Sequence, residues 1–183
     1  NTASGKYALR YNTTAPYNVA FGACALFNNA TGENNTSVGY QSLKTNTSSN
    51  DNTAVGTYAL CLTTGHSNTA IGKSALQANS TGAQNTAIGK FALSSNTTAD
   101  NNTAVGVIAL YSNTTGHSNA ALGFCALESN TTASYNTAVG FQTLLSNTTG
   151  AYNTASGYKA LRLNTTGGCN VAFGVLALED NTT

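Results

Sequence analysis

The sequence predicts an all-β fold, a parallel β-solenoid or β-roll that forms an elongated rod. Three observations predict it: a 17-residue motif recurs along all 183 residues, Gly and Asn recur inside each copy, and no stretch between them is long enough for a stable helix. The pieces Thr-Ala-Val and Ala-Leu, bounded by Asn and Gly, are typical of short strands and turns. We expect about eleven stacked coils, each with two short strands and two turns, and a rod about 50 Å long at a strand spacing of about 4.8 Å.

The repeat has the consensus N-T-A-V-G-x-x-A-L-x-x-N-T-T-G-x-x, with positions numbered 1 to 17. The coils begin at Asn1, Asn18, Asn35, Asn52, Asn68, Asn85, Asn102, Asn119, Asn136, Asn153 and Asn170. Every interval is 17 residues except the 16 between Asn52 and Asn68. We interpret that copy as lacking the position-12 asparagine before Thr63, with the loss of one ladder bond. Residues 1–183 form a single repeat array, which we expect to be a segment of a longer protein.

Three columns of nearly constant residues are predicted to build the interior. Leucine at position 9 and small residues at positions 3 and 8 would fill a thin core, where larger side chains do not fit. The predicted core leucines are Leu9, Leu26, Leu43, Leu60, Leu76, Leu93, Leu110, Leu127, Leu144, Leu161 and Leu178. Glycine at position 5 indicates a turn or a close backbone approach.

Asparagine at position 1, present in all eleven copies from Asn1 to Asn170, is predicted to form a stacking ladder. Asparagine tolerates turn dihedrals, and its amide can bond to the identical amide one coil away. Position 12 is expected to do the same. The position-12 asparagines lie in Asn-x-Ser/Thr sequons, which would be glycan acceptors in a eukaryotic secretory pathway. We favour the ladder, because a glycan on every rung would be crowded.

Position 4 is predicted to form a seam between chains. It alternates with the small residue at position 3 and should therefore face outward. A lone rod would expose this apolar stripe, so we expect its burial in a trimer or a laterally packed filament. The candidate seam residues are Phe21, Val38, Val55, Ile71, Ile88, Val105, Leu122, Val139 and Phe173.

Charge is sparse and confined to variable positions. All thirteen charged residues lie at positions 6, 7, 10, 11, 16 and 17, which we expect to face solvent. A formal net charge of +1 gives no reason to expect a nucleic-acid partner. No apolar run approaches the ~20 residues of a membrane span, so no membrane insertion is expected.

The sequence predicts no catalytic residue, metal site or cofactor, and we do not expect an enzyme. The six carboxylates are scattered over different coils, so no acid/base pair can be nominated. His66 and His117 lie three coils apart, too far to share a metal ion. The four cysteines occupy different columns or distant coils, so intrachain disulfides are not expected.

Two ligand-binding alternatives stay open. The threonines at positions 13 and 14 raise ice binding, because flat Thr arrays on β-solenoids order water. Adjacent strand residues point to opposite faces, however, and the Thr-x-Thr pattern is missing. Aromatic residues at positions 6, 7 and 17 suit either glycan stacking or burial between chains. Burial is favoured because the rings change from copy to copy.

The Asn-Thr-Ala-Val-Gly and Asn-Thr-Ala-Ile-Gly blocks, spaced by Ala-Leu and Asn-Thr-Thr-Gly, resemble the head repeats of trimeric autotransporter adhesins. They look equally like repeats of bacteriophage tail-fibre proteins. The resemblance covers the whole chain and implies a left-handed parallel β-roll, three chains to a fibre, and attachment at a cell or virion surface. Adhesin units are usually somewhat shorter. We expect a structural segment of an extracellular fibre or filament, acting as a rigid spacer, with itself and a host-surface glycan or receptor as partners.

Overall fold

The computed structural model describes all 183 residues and contains one parallel sheet of eleven strands, one strand from each coil. Each strand has three residues and pairs with the strands of the neighbouring coils, so that the first and last strands form the two edges of the sheet. The strands are β1 (Thr2–Ser4), β2 (Val19–Phe21), β3 (Thr36–Val38), β4 (Thr53–Val55), β5 (Thr69–Ile71), β6 (Thr86–Ile88), β7 (Thr103–Val105), β8 (Ala120–Leu122), β9 (Thr137–Val139), β10 (Thr154–Ser156) and β11 (Val171–Phe173). The predicted all-β solenoid of 17-residue coils is confirmed. The structure contains no helix with the length and apolar character of a membrane span.

The register of the sheet follows the motif. Each residue of a strand pairs with the residue at the same motif position in the next coil, as Ala87 does with Ala104. The 16-residue coil keeps this register, since Ala54 pairs with Ala70. The missing residue is therefore absorbed outside the sheet.

The expected second strand in each coil is wrong. Positions 6 to 11 form consecutive turns, and the residues at positions 7 and 9 have left-handed backbone angles, such as φ 60° at Phe91 and φ 52° at Leu93. A strand cannot contain such residues at alternate positions. Coils still bond to one another here, because Leu93 N–H donates to Ala109 O at 3.0 Å. Some bonds between turn residues close a turn within one coil, as from Ala92 N–H to Gly89 O, and others such as that from Leu93 join neighbouring coils. Turns therefore help the sheet to hold the stack together.

The core is a thin column of leucine and alanine. Nine of the eleven predicted core leucines, Leu26 to Leu161, are fully buried with the small residues at positions 3 and 8. Leu9 is partly buried and Leu178 is 51% exposed, because the first and last coils have a neighbour on one side only. The left-handed backbone disfavours β-branched residues at position 9, although position 7 has the same backbone and carries Ile108 at φ 62°.

Glycine at position 5 is required for two reasons, its backbone conformation and the close approach of the next coil. Gly72 has φ +133°, a conformation that L side chains rarely adopt. A Cβ built on it would lie 2.6 Å from the carbonyl oxygen of Gly89 in the next coil. The coils can therefore stack at this corner only without side chains.

Candidate functional site

The position-1 asparagines are buried along one corner of the coil, from Asn18 to Asn153. Asn85 illustrates their bonding: its Oδ1 accepts the backbone N–H of Asn102 at 3.0 Å, and its Nδ2 donates to Ala99 O at 2.8 Å. The main link between coils here runs from backbone to side chain. The predicted bond between two amides accompanies it in three rungs, as from Asn85 Nδ2 to Asn68 Oδ1 at 3.2 Å.

The position-12 asparagines form the amide-to-amide ladder. Asn96 Nδ2 donates to Asn79 Oδ1 at 2.8 Å, and Asn113 Nδ2 donates to Asn96 Oδ1 at 3.0 Å. Asn96 Nδ2 also donates to Ala99 O at 3.0 Å. That carbonyl also accepts the Asn85 amide, so the two asparagine columns meet on one acceptor. The interior sequons are therefore buried and hydrogen-bonded in the folded chain.

Thr63 occupies the ladder position that the sequence interpretation left empty. Thr63 is buried, and its Oγ1 accepts from Asn79 Nδ2 at 3.1 Å and from Gly65 N–H at 3.0 Å. Thr64 Oγ1 donates to Ser80 O, the bond that position-13 hydroxyls make in other coils. The deleted residue is therefore position 14, not position 12. One ladder bond is absent, because Thr63 has no amide to donate to Asn46.

The outward face of the sheet carries the predicted seam residues. Position 3 is buried in ten of the eleven strands, while positions 2 and 4 are half-buried or exposed. Ile71 is 39% exposed and Ile88 is 37% exposed in the single chain. Phe21, Leu122, Val139 and Phe173 are also exposed, and Val38, Val55 and Val105 are half-buried. The stripe thus runs along most of the rod.

Opposite charges border this face. Position 6 follows the strand and carries Lys6, Lys73 and Lys90; we call this column the basic edge. Positions 16 and 17 precede the next strand and carry Glu33, Asp51 and Asp100; we call this pair of columns the acidic edge. None of these six side chains forms an ion pair within the chain, whose one salt bridge joins Arg162 to Glu179 at 2.7 Å.

Stacked aromatic rings continue both edges toward the last coils. Phe124, Phe141 and Tyr158 stack at position 6, with ring centroids 5.3 and 5.4 Å apart and planes within 11°. Tyr135 and Tyr152 stack at position 17, 5.0 Å apart. The sequence contained the signal for these stacks, namely aromatic residues in one column of consecutive copies, but the prediction treated each ring alone.

The two histidines serve different contacts. His66 Nδ1 accepts the backbone N–H of Asn50 at 3.1 Å, and the His117 ring lies edge-on to Tyr135 at 4.8 Å. The chain has no group of three His, Cys, Asp or Glu side chains that could hold a metal ion, and no surface cavity. The structure therefore brings together surfaces and ladders, not a pocket.

All four cysteines are free thiols. Cys61 and Cys125 are buried, and Cys169 is exposed. Burial raises the pKa of the Cys61 thiol, partly opposed by the charge of Lys44. Burial, a hydrogen bond to Glu128 and the charge of that carboxylate raise the pKa of Cys125 to about 12. Both buried thiols thus stay protonated and unreactive near neutral pH.

Comparison with known proteins identifies no relative. The chain matches no protein-family model, no curated protein and no solved structure. The resemblance of its motif to adhesin head repeats and tail-fibre repeats stays an expectation from the sequence. Function is therefore inferred from the faces and edges described above.

Proposed function

We propose that this chain is a rigid repeat segment of an extracellular fibre or filament at a cell or virion surface, in which copies pack side by side. Its roles are those of spacer and attachment element, without catalysis. The observation that carries the proposal is the apolar position-4 stripe, which lies open on the outward face of a continuous eleven-stranded sheet.

The stripe alone would hold copies together only weakly. Full burial of a Val or Ile side chain contributes about 1.5–3 kcal/mol, so burying the exposed third of each contributes about 0.5–1 kcal/mol. The nine seam residues then supply roughly 5–9 kcal/mol per chain, against an association cost of about 4–15 kcal/mol. Further contacts at the borders of the face are needed.

The two edges supply those contacts when copies run in the same direction. If sheet faces meet around an axis parallel to the rods, the basic edge of one copy meets the acidic edge of the next. To within one coil, Lys90 then lies level with Asp100, and Phe124 with Tyr135, whereas Lys6 and Lys73 come level with no acidic residue. An antiparallel pair would instead bring like edges together, so that the basic edge containing Lys90 in one chain would face the basic edge of the other chain. Charge therefore favours parallel packing.

The ladders suit a spacer. Every coil bonds to the next through strand, turn and asparagine contacts, as in the bonds of Asn96 to Asn79 and of Asn102 to Asn85. Because each coil contacts only its neighbours, stability should be close to a sum over coils. Such a rod can be lengthened by adding further 17-residue coils, because each new coil makes the same contacts with its neighbours.

Sedimentation equilibrium tests the proposal. The wild-type chain should associate. The double variant Ile71→Asp/Ile88→Asp should be monomeric, because association would bury the two introduced carboxylates in the seam. The matched control is Gln77→Asp/Ser94→Asp, which adds the same charges to the same two coils at position 10. That control should associate like wild type, with circular dichroism showing all three folded. A wild type that stays monomeric at every concentration contradicts the proposal.

A ligand-binding solenoid is the second candidate, and one observation favours its ice-binding form. Position 2 is threonine beside the position-4 aliphatic residue in six strands, as in Thr69 with Ile71 and Thr86 with Ile88, and both columns lie on the outward face. Such an array can order water only if the face is free. Thermal hysteresis from a monomeric chain would support this candidate, and its absence from an associating chain would reject it.

A further inference from the structure

Beyond the seam, positions 7, 10 and 11 of the first four coils bring cations and aromatic rings together. We call this surface the cation–aromatic ridge; it consists of Tyr7, Arg10, Tyr11, Phe27, Lys44 and Tyr58. It contains no carboxylate, because the acidic residues of these coils lie at positions 16 and 17. The ridge follows the position-6 edge along the chain and lies outside the sheet face that forms the seam.

Arg10 is the centre of the ridge. Its guanidinium carbon lies 4.5 Å from the ring centroid of Tyr7, 5.4 Å from that of Tyr11 and 5.8 Å from that of Phe27. Three rings thus orient the guanidinium through cation–π contacts. No carboxylate of the chain pairs with it, so its fork of N–H donors is free to bind an anion in two places at once.

The rings themselves remain accessible. Tyr7 is 45% exposed and Tyr11 is 50% exposed, and Phe27 supports both rings edge-on, with centroids 6.2 and 5.1 Å away. Exposed aromatic rings beside a few fixed polar groups offer a sugar both stacking area and orientation. Lys44 lies two coils from Arg10, about 10 Å along the axis.

The spacing of the cations indicates the charge density of the anionic polymer that would fit the ridge. Duplex DNA carries one charge per about 1.7 Å of axis. That is denser than here, where Lys6 and Arg10 both lie over the Tyr7 ring and the next cation, Lys44, lies about 10 Å along the axis. A polysaccharide with an anionic group on alternate or successive sugars fits the ridge better, because its sugars supply the surface for the rings. We propose that the cation–aromatic ridge binds an acidic polysaccharide bearing uronate or sulfate groups. The inference rests on the attachment role in the proposed function, not on packing through the seam.

Heparin oligosaccharide, measured by titration calorimetry, is the probe. The variant Arg10→Gln/Lys44→Gln should bind about tenfold more weakly than wild type or worse, with a smaller dependence on salt. The matched control is Lys159→Gln/Arg162→Gln, which removes one Lys and one Arg from positions 7 and 10 of coil 10. Because Arg162 already pairs with Glu179, this control should keep wild-type binding.

A separate variant measures how much the aromatic rings contribute to heparin binding. Tyr11→Ala keeps both cations and should still weaken heparin binding, whereas neutral dextran should not bind any form of the chain. Failure of wild type to bind heparin, equal losses in both double variants, or equally tight binding of single-stranded DNA would overturn the inference.

Sedimentation of the same samples separates the two proposals. Loss of heparin binding in the Arg10→Gln/Lys44→Gln chain with association intact is the expected result. Heparin binding by a wild-type chain that never associates would overturn the packing of copies and leave the ridge standing.

Discussion

Thr63 Oγ1 accepts a hydrogen bond from Asn79 Nδ2 at 3.1 Å, so a threonine hydroxyl stands in for an asparagine amide in the polar ladder. The hydroxyl fills the acceptor role toward the next coil. It does not fill the donor role toward Asn46, and this is the one gap in the ladder. The stack therefore tolerates a shortened coil at the loss of one bond.

Restoring the amide at this position should stabilise the rod. Thr63→Asn is expected to raise the free energy of unfolding by about 1 kcal/mol, because a buried bond to Asn46 is regained. The reverse change in a full-length coil, Asn96→Thr, should lower it by about 1–3 kcal/mol. Urea titrations measure both. A Thr63→Asn chain less stable than wild type would show that the 16-residue coil cannot accommodate the amide.

Ser37 and Ser42 are a coupled pair inside coil 3. Both are fully buried where the other coils have alanine, except for Thr143 at the Ser42 position of coil 9, and their hydroxyl oxygens lie 2.6 Å apart. The double change Ser37→Ala/Ser42→Ala should be neutral or stabilising, because it recreates the usual apolar pair. Each single change should cost up to about 1 kcal/mol. Strictly additive effects in a double-mutant cycle would contradict the coupling.

The left-handed backbone at position 9 makes an unusual prediction for Leu93. Leu93→Ala should cost about 2–5 kcal/mol through the cavity it leaves. Leu93→Ile keeps the volume but should still cost about 1–3 kcal/mol, because a β-branched residue is strained at φ 52°. The control Ile88→Leu, in the same coil on the outward face, should lie within about 0.5 kcal/mol of wild type. Chemical denaturation gives all three values.

Thiol labelling should follow burial. Iodoacetamide and mass spectrometry should show Cys169 modified first, and Cys61 and Cys125 last, since only the thiolate reacts. Labelling of Cys125 should keep rising with pH up to its pKa of about 12. In urea all four should react at similar rates. Labelling of folded Cys125 as fast as Cys169 would contradict its burial beside Glu128.

The raised pKa of Cys125 also makes the free energy of unfolding depend on pH. The pKa of Cys125 is raised on folding, so the folded chain holds this proton where the unfolded chain has lost it. The stabilisation is fully present below the ordinary thiol value of 9.0 and falls as pH rises above it. Cys125→Ala should flatten that part of the pH profile.

The sequence predicts the inside of this protein well, because identical coils must place identical residues in identical surroundings. The buried leucines and alanines and the outward position-4 stripe follow from that rule. The backbone of positions 6 to 11 does not, since Phe91 and Leu93 adopt left-handed angles that neither residue type favours and that only the stacked coils impose. The role of Thr63 was missed for a related reason. Alignment by residue identity places the gap before Thr63. In the structure the buried ladder position is occupied by Thr63, and the gap falls at the more exposed position 14.

Cryo-electron microscopy of the wild-type chain tests the central claim, that copies pack in parallel through the position-4 stripe. The account predicts rods of several chains, all running in one direction, with Ile71 and Ile88 facing the common axis and Lys90 of each copy beside Asp100 of the next. Single-chain rods with the stripe open to solvent, or antiparallel pairs with like edges together, would contradict it.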